Sequence, residues 1–459
     1  MRAASVTLGL VIALAGARVA SAEKIRDIIV EGNTKTTSAT VELIARIDTG
    51  DDWSPEMMDQ IKKYLVSSGL FNDVDGFTEP CGPTSTPKCD EGGVRVHLMV
   101  KDKHSWVIAP AFYNEPTNTG GGVGFGENNL FGENQKLLLY GQVATGDSFF
   151  IGAWVNPSIH GSRFYSQLDT YLKSSRIIEY AAPTGYTNTP DAVRQSRMNY
   201  LNAGFKLGVE LFHGLKLDAR LRGAHVNYQD VKAVTNDITQ ITTAPGADVH
   251  NPPKPGKEGW DVSNELSLTI DRRADWFGVQ TGYKYSTSVE YGVPALGSDF
   301  HYWIYNLSLY RAVQVLERHN FVAKAGFHYG HDLPFQQEFS MGGSSMRGYL
   351  NSEFRGDLNI TANLEYSVPL FSVFGLGVRG LAFFDSGYTG FRNTDNPERN
   401  YLTMSAIGDH SSLAPFKNSV GVGTRLFLRQ IVIPLLGVDF GYGLEARDFQ
   451  MYLAIGLTD

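Results

Sequence analysis

The chain has 459 residues, a formal net charge of -8, 12% aromatic residues, 49 glycines and only two cysteines. The acidic balance argues against nucleic acid as a partner, and no run beyond the first residues approaches the roughly 20 apolar positions of a membrane helix. The mature chain is therefore either soluble and exported or embedded as a β-barrel, which hides its apolar half in alternate residues; abundant Gly, Tyr and Phe favour the barrel.

Residues 1–22 read as a secretory signal peptide. Arg2 precedes an apolar run from Val6 to Ala15, and Ala20-Ser21-Ala22 offers the small-x-small cleavage pattern, so the mature start is expected near Glu23. A transmembrane anchor would need a longer run. Losing Arg2 and Arg18 with this segment makes the mature chain two charges more acidic.

From Ile25 to His104 the signals run strand, helix, helix, strand, strand. Ile25 to Val30 is a β-branched run stopped by Gly32-Asn33, after which Thr37 or Ser38 opens a short helix through Val41, Leu43, Ile44 and Ile47. Ser54-Pro55 caps a second helix whose Met57, Ile61, Tyr64 and Leu65 share a face, and Gly69 ends it. Asn72 to Thr78 leads to Cys81 and Cys89. In an oxidising compartment these two are expected to close a structural disulfide loop, since a metal site would need two further ligands and none is nearby. Val94, Val96, Leu98 and Val100 then alternate with Arg95, His97, Met99 and Lys101, as in a strand buried on one side. Such a unit can bury one face of its sheet under two helices and fold by itself. Its free sheet edge could pair with an extended client chain, or the unit could be a passive spacer.

From Trp106 onward the period is two. Leu215, Leu217, Ala219 and Leu221 alternate with Lys216, Asp218, Arg220 and Arg222, and Phe205 to Leu211, Val438 to Leu444 and Phe449 to Leu457 repeat the pattern. At roughly 22 residues per strand and turn, residues 105–459 fit about 16 antiparallel strands, given membrane strands of about 9 to 11 residues. Tyr180 to Arg197, Asp230 to Gly259 and Arg392 to Lys417 read as long loops. Enzyme motifs are missing: there is no HExxH, G-x-S-x-G or Walker loop. Gly122-Val123-Gly124-Phe125-Gly126 sits in a strand context with no helix after it, and His328 and His331 read as polar strand-end residues rather than metal ligands.

Several phrases together resemble one family. IIVEGNTKT (Ile28 to Thr36), KKYLVSSGLFNDV (Lys62 to Val74) and VRVHLMVKD (Val94 to Asp102) resemble a POTRA domain, here residues 23–104. FSMGGSSMRGY (Phe339 to Tyr349) resembles the sixth-loop signature of the BamA/TamA outer-membrane assembly superfamily, carried by Gly342, Gly343, Met346, Arg347, Gly348 and Tyr349. SLTIDRRADWFGVQTGYKY (Ser267 to Tyr285), LNITANLEYSVPL (Leu358 to Leu370), FFDSGY (Phe383 to Tyr388), SVGVGTRLF (Ser419 to Phe427) and GVDFGYGLE (Gly437 to Glu445) follow in family order. The sequence has room for one POTRA unit, whereas members best known for folding barrels carry several, and it ends in Asp459 where many outer-membrane strands end in an aromatic.

The resemblance implies an α+β POTRA domain in the periplasm followed by an all-β transmembrane barrel in the bacterial outer membrane, acting on polypeptides by strand templating without a cofactor. Its partners would be outer-membrane lipid, unfolded barrel or secreted clients taken up along the POTRA edge strand, and accessory periplasmic proteins or lipoproteins. A dedicated secretion translocator and a passive pore or receptor are the alternatives. The resemblance also puts Arg347 on a loop folded into the lumen, where a guanidinium would meet a carboxylate in a planar fork. Alternation turns Glu365 and Asp439 inward, and the family pattern suggests the same for Asp385. Family members are thought to open between first and last strands; Pro110, which cannot donate to a ladder, and Gly456 are consistent with a weak seam there.

Overall fold

The structure, a computed structural model, describes residues 23–82, 89, 92–180, 192–212, 214–234, 251–276, 279–373, 376–392, 416–428 and 434–455. Residues 1–22, Gly456 and Leu457 lie outside the described residues. The chain divides into two compact units, residues up to His104 with 131–133, and the remainder.

In the first unit, strand β1 (Glu23–Glu31) leads to helix α1 (Ser38–Ala45), the short strand β2 (Asp52–Trp53), helix α2 (Pro55–Ser67) and strands β3 (Phe71–Pro80) and β4 (Gly93–Asp102). Thr37 caps α1 by accepting the Thr40 N–H, 3.2 Å away, one of the orphan donors at a helix start. The helix stops at Ala45 rather than reaching Ile47, because Arg46 takes the left-handed conformation (φ 59°) and turns its N–H back to Glu42 and Leu43. The sheet order is β2-β1-β4-β3, with β1 parallel to β4 and β3 antiparallel to it. Val94, Val96, Leu98 and Val100 are buried against Val41, Ile61 and Leu65 of the two helices.

One residue departs from the one-sided pattern of β4. Arg95 is fully buried (0% exposed) on the other face, because its guanidinium lies between Asp27 Oδ2 at 2.8 Å on β1 and Glu79 Oε1 at 2.7 Å on β3. Charge pairing across three neighbouring strands covers what alternation alone would leave in water. Cys81 and Cys89 are joined, with Cα atoms 5.2 Å apart. Among the described residues no strand pairs with the outer edge of β3.

The second unit is a closed barrel. Its strands are β5 (Trp106–Glu115), β6 (Asn118–Leu130), β7 (Gln135–Ala144), β8 (Asp147–Asn156), β9 (Phe164–Tyr180), β10 (Ala192–Phe212), β11 (Leu215–Ala233) and β12 (Gly259–Asp271), with β13 (Ala274–Trp276) continuing the same wall position. There follow β14 (Val279–Gly292), β15 (Trp303–Gln314), β16 (Asn320–His331), β19 (Leu358–Val373), β20 (Leu376–Gly390), β21 (Lys417–Leu428), β22 (Pro434–Gly443) and β23 (Asp448–Ile455). The small hairpin β17 (Phe339–Met341) and β18 (Phe354–Gly356) stands apart from the wall. With β12 and β13 counted as one, the ring has 16 antiparallel strands, β23 closing on β5. Gly122 to Gly126 lie within β6.

The partition is inside out. Leu221 is 47% exposed to the outside, while its neighbour Arg222 is 7% exposed and faces the lumen, as lipid around a polar interior requires. Strands β9, β10 and β11 run 17, 21 and 19 residues, well beyond the roughly 9 to 11 needed to cross. Ala192 to Arg197 and Asp230 to Ala233 are therefore ladder, where loop was expected; residues 181–191, 235–250 and 393–415 lie outside the described residues. The extension is held from within: Arg194 grips both oxygens of Glu179, at 2.6 and 2.7 Å. Inward-facing Met198, Val226 and Tyr228 form a second core with Phe300, Tyr302 and Phe335.

In the first unit, Asp102 ends β4 and gathers the loop before α1. It accepts the N–H groups of Thr34 (2.6 Å) and Lys35 (2.7 Å) and the hydroxyl of Thr36 (2.5 Å). Burial works against its charge, yet these hydrogen bonds outweigh it and hold its carboxyl below the ordinary range. A depressed folded pKa contributes stability that is present above the unfolded value near 4 and lost as pH falls through the folded one. Asp102→Asn is expected to lower the melting temperature of residues 23–104 at pH 7 by about 4 to 8 °C, the shift for roughly 1 kcal/mol in a domain this size. It should also shrink the loss of stability between pH 5 and 3, as thermal unfolding followed by circular dichroism would measure.

Candidate functional site in the barrel lumen

Between β16 and β19 the chain does not arch away but enters the lumen. The turn Phe335–Gln337 leads to β17, and β17 and β18 pair in register Phe339 to Gly356 and Met341 to Phe354. At the tip, Met341, Met346 and Tyr349 are each 2% exposed or less and pack with Phe354. A loop needs such a core of its own to hold one conformation. Gly342, Gly343 and Gly348 have φ of 126°, 65° and 97°, which a side chain would strain. Gly348 also approaches the wall: a Cβ on it would lie 2.5 Å from Gly443 N, and one on Gly441 would lie 2.7 Å from Gly348 N.

This close approach delivers Arg347 to the wall. Its Nε and Nη2 donate to Asp385 Oδ2 and Oδ1, both at 2.8 Å, and its backbone N–H reaches Asp385 Oδ2 at 3.2 Å. Nη1 lies 2.8 Å from Glu365 Oε1 and 3.4 Å from Asp439 Oδ2. The guanidinium carbon sits 3.5 Å over the centre of the Phe383 ring, a cation–π contact. Arg347 is 5% exposed and Asp385 is fully buried; Asp385 also accepts the Asn363 side-chain N–H at 3.0 Å. Glu365 is on β19, Phe383 and Asp385 on β20, and Asp439 on β22.

Arg425, Glu445 and Tyr452 are members of the site that the sequence reading did not single out, whereas Tyr349 belongs to the loop signature. Arg425 on β21 takes both oxygens of Asp439, at 2.5 and 2.8 Å, so two guanidinium groups answer three carboxylates. Its inward parity within Ser419 to Phe427 was the available signal. Tyr349 donates to Glu445 Oε2 at 2.5 Å, and Tyr452 on β23 bonds the backbone of both Gly348 and Tyr349. The root of the loop is held separately. Arg222 meets Glu290 at 2.6 Å and Asp261 at 3.4 Å, Asp261 accepts the Gln337 amide at 2.8 Å, and Arg355 lies 3.1 Å from Glu338. Pro110 faces Val123 across the β5–β6 ladder and lies beyond the last described pair of the seam.

A cavity of about 1530 Å³ opens beside the loop, lined by Tyr113, Gln142, Lys324, Glu365 and Asp439 among others. His328 bonds Asn306 at 2.8 Å and His331 lies 3.0 Å from Asp332; no group of three metal-ligating side chains occurs among the described residues. The charges of the site are spent on one another, so the chemistry it offers is that of a clamp.

A closed sixteen-strand barrel, an α+β unit before it in the chain and an arginine-bearing loop drawn inside define a transmembrane β-barrel protein. The Omp85 superfamily domain matches residues 129–450, and the chain belongs to that superfamily. A search of curated protein sequences returned no match. Among solved structures, BamA from Haemophilus ducreyi lacking POTRA domains 1-3 has a TM-score of 0.63 at 15% identity, over 95% of this chain and 84% of that one. CdiB from Acinetobacter baumannii has a TM-score of 0.60 at 15% identity, over 95% and 74%. CdiB from Escherichia coli has 0.61 at 14%, over 95% and 77%. The α+β unit resembles a POTRA domain, and the Omp85-type barrel lies in the outer membrane.

Removing one partner of a buried ion pair strands the others without compensation, at about 3–5 kcal/mol. Arg347→Ala is therefore expected to lower the temperature at which the folded barrel loses its heat-modifiable migration on gels. Arg347→Lys should fall between it and the parent, because an ammonium cannot bridge both oxygens of Asp385 while reaching Glu365. Equal migration temperatures for all three would show that the clamp contributes nothing to the barrel.

Proposed function

We propose that this protein inserts or translocates polypeptides at the outer membrane by strand templating at the seam between β23 and β5, without an enzymatic step or cofactor. The observation that carries the reading is that β23 runs past the end of β5, so that most of its described length is paired on one side only. Among the described residues β23 and β5 share three residue pairs, Leu453 with Asn114, Ala454 with Tyr113 and Ile455 with Phe112. β5 and β6 share ten, and β22 and β23 share eight. Asp448 to Tyr452, paired with β22, thus have no partner on β5 among the described residues, and unpaired backbone edges recruit extended chains. In this reading residues 23–104 stand in the periplasm as a single POTRA domain, the outer edge of β3 receives clients, and accessory periplasmic proteins or lipoproteins join there. Cys81 and Cys89 are joined after β3, and the described wall presents its apolar face to lipid.

The experiment is a covalent lock with a proteome readout. Cysteines at Asn114 and Leu453, directly opposed in register, stand at the separation a disulfide bridges. Oxidation should abolish function and reductant restore it; full function of the locked barrel rejects templating at this seam. Depletion then sets the breadth of the role. Many outer-membrane barrels should fall together, whereas loss of one exported protein would mark a dedicated translocator, and an unchanged proteome a passive pore or receptor.

A further inference from the structure

The lumenal loop touches both sides of the seam, and unequally. On the last strand, Tyr452 Oη accepts the Gly348 N–H at 2.9 Å and donates to the Tyr349 carbonyl at 2.8 Å. These two bonds sit directly beside Arg347, whose guanidinium is clamped to β19, β20 and β22, and β23 is paired along its length with β22. On the first strand, among the described residues, one side-chain bond makes the connection: Asn351 Nδ2 donates to Glu115 Oε2 at 2.6 Å, at the last residue of β5. Behind β5 stands β6, with glycine at 120, 121, 122, 124 and 126. Glycine in strand interiors gives a wall without interlocking side chains and with more backbone freedom.

We infer that Gly348 to Asn351 form a strap across the seam, in which Tyr452 fixes the last strand to the clamp while the Asn351–Glu115 bond latches the first strand, so that β5, backed by the glycine-rich β6, is the edge that moves. Glu115, Asn351 and Tyr452 are positioning residues: none is required to touch a client. The inference rests on the proposed use of this seam for its functional meaning, and its physical content is which edge is loose.

Hydrogen exchange on the full-length protein in lipid nanodiscs reads each edge separately. Asn351→Ala and Glu115→Ala should each raise exchange of the Val107–Glu115 amides about tenfold, the loss of one hydrogen bond to a charged group, while Asp448–Leu453 stay within about twofold of the parent. Glu115→Gln keeps an acceptor oxygen for Asn351 and should restore slow exchange, which a merely structural role at this position would not require. Tyr452→Phe should loosen Asp448–Leu453 instead. If Glu115→Ala does not fold, Asn351→Asp sets two carboxylates together and should produce the same selective loosening of β5. Unchanged exchange at β5 in Asn351→Ala and Asn351→Asp, or equal loosening of both edges, overturns the strap. Selective loosening of β5 with an unchanged cellular role would support the strap and overturn templating at the seam.

Discussion

A charged side chain in a barrel wall has one direction in which to point. Lipid outside excludes it, so Arg222, Glu365, Asp385 and Asp439 point inward, and once inside a confined lumen each must find a partner or water. Arg347 completes that pairing from a loop. With Asp385, Glu365, Asp439 and Arg425 it forms a network spanning four adjacent strands, β19 to β22. The loop cannot retreat without leaving buried carboxylates uncompensated, and that cost fixes its tip in place. The glycines follow from the same constraint: Gly348 is needed because its backbone lies against those of Gly441 and Gly443.

Much of this architecture is legible in the sequence because lipid imposes a strict period of two. Alternation is enough to orient Leu221 outward and Arg222 inward, and to assign Glu365 and Asp439 to the lumen. Alternation says nothing about register, and register decides partners. Gly423, not Arg425, stands opposite Asp439, yet the long Arg425 side chain reaches diagonally to it. Strand length was equally hidden. The polar composition around Arg194 reads as loop, but a Glu179 partner on the neighbouring strand lets the ladder continue. Arg95 departs from its pattern for the same reason, through carboxylates on both flanking strands.

The two ends of the loop are held by different means. Its root is tied by Arg222, Asp261 and Gln337 to the wall around β11 to β14 and braced within the loop by Arg355–Glu338, and its tip is tied by Arg347 and Tyr452 to the wall around β19 to β23. A segment anchored at two separated points of a ring stiffens the arc between them. Stiffness there leaves deformation of the barrel to β5 and β6, where glycine is dense.

The central claim is that the Arg347–Asp385 contact holds the loop, and a double-mutant cycle measures it directly. Arg347→Ala, Asp385→Ala and the double variant would be compared with the parent by reversible unfolding in detergent. Residues in one ion-pair network couple by about 0.5–3 kcal/mol, and the bidentate, buried geometry places the expected value at the upper end, about 2–3 kcal/mol. Additive losses, with a coupling energy near zero, would contradict the account.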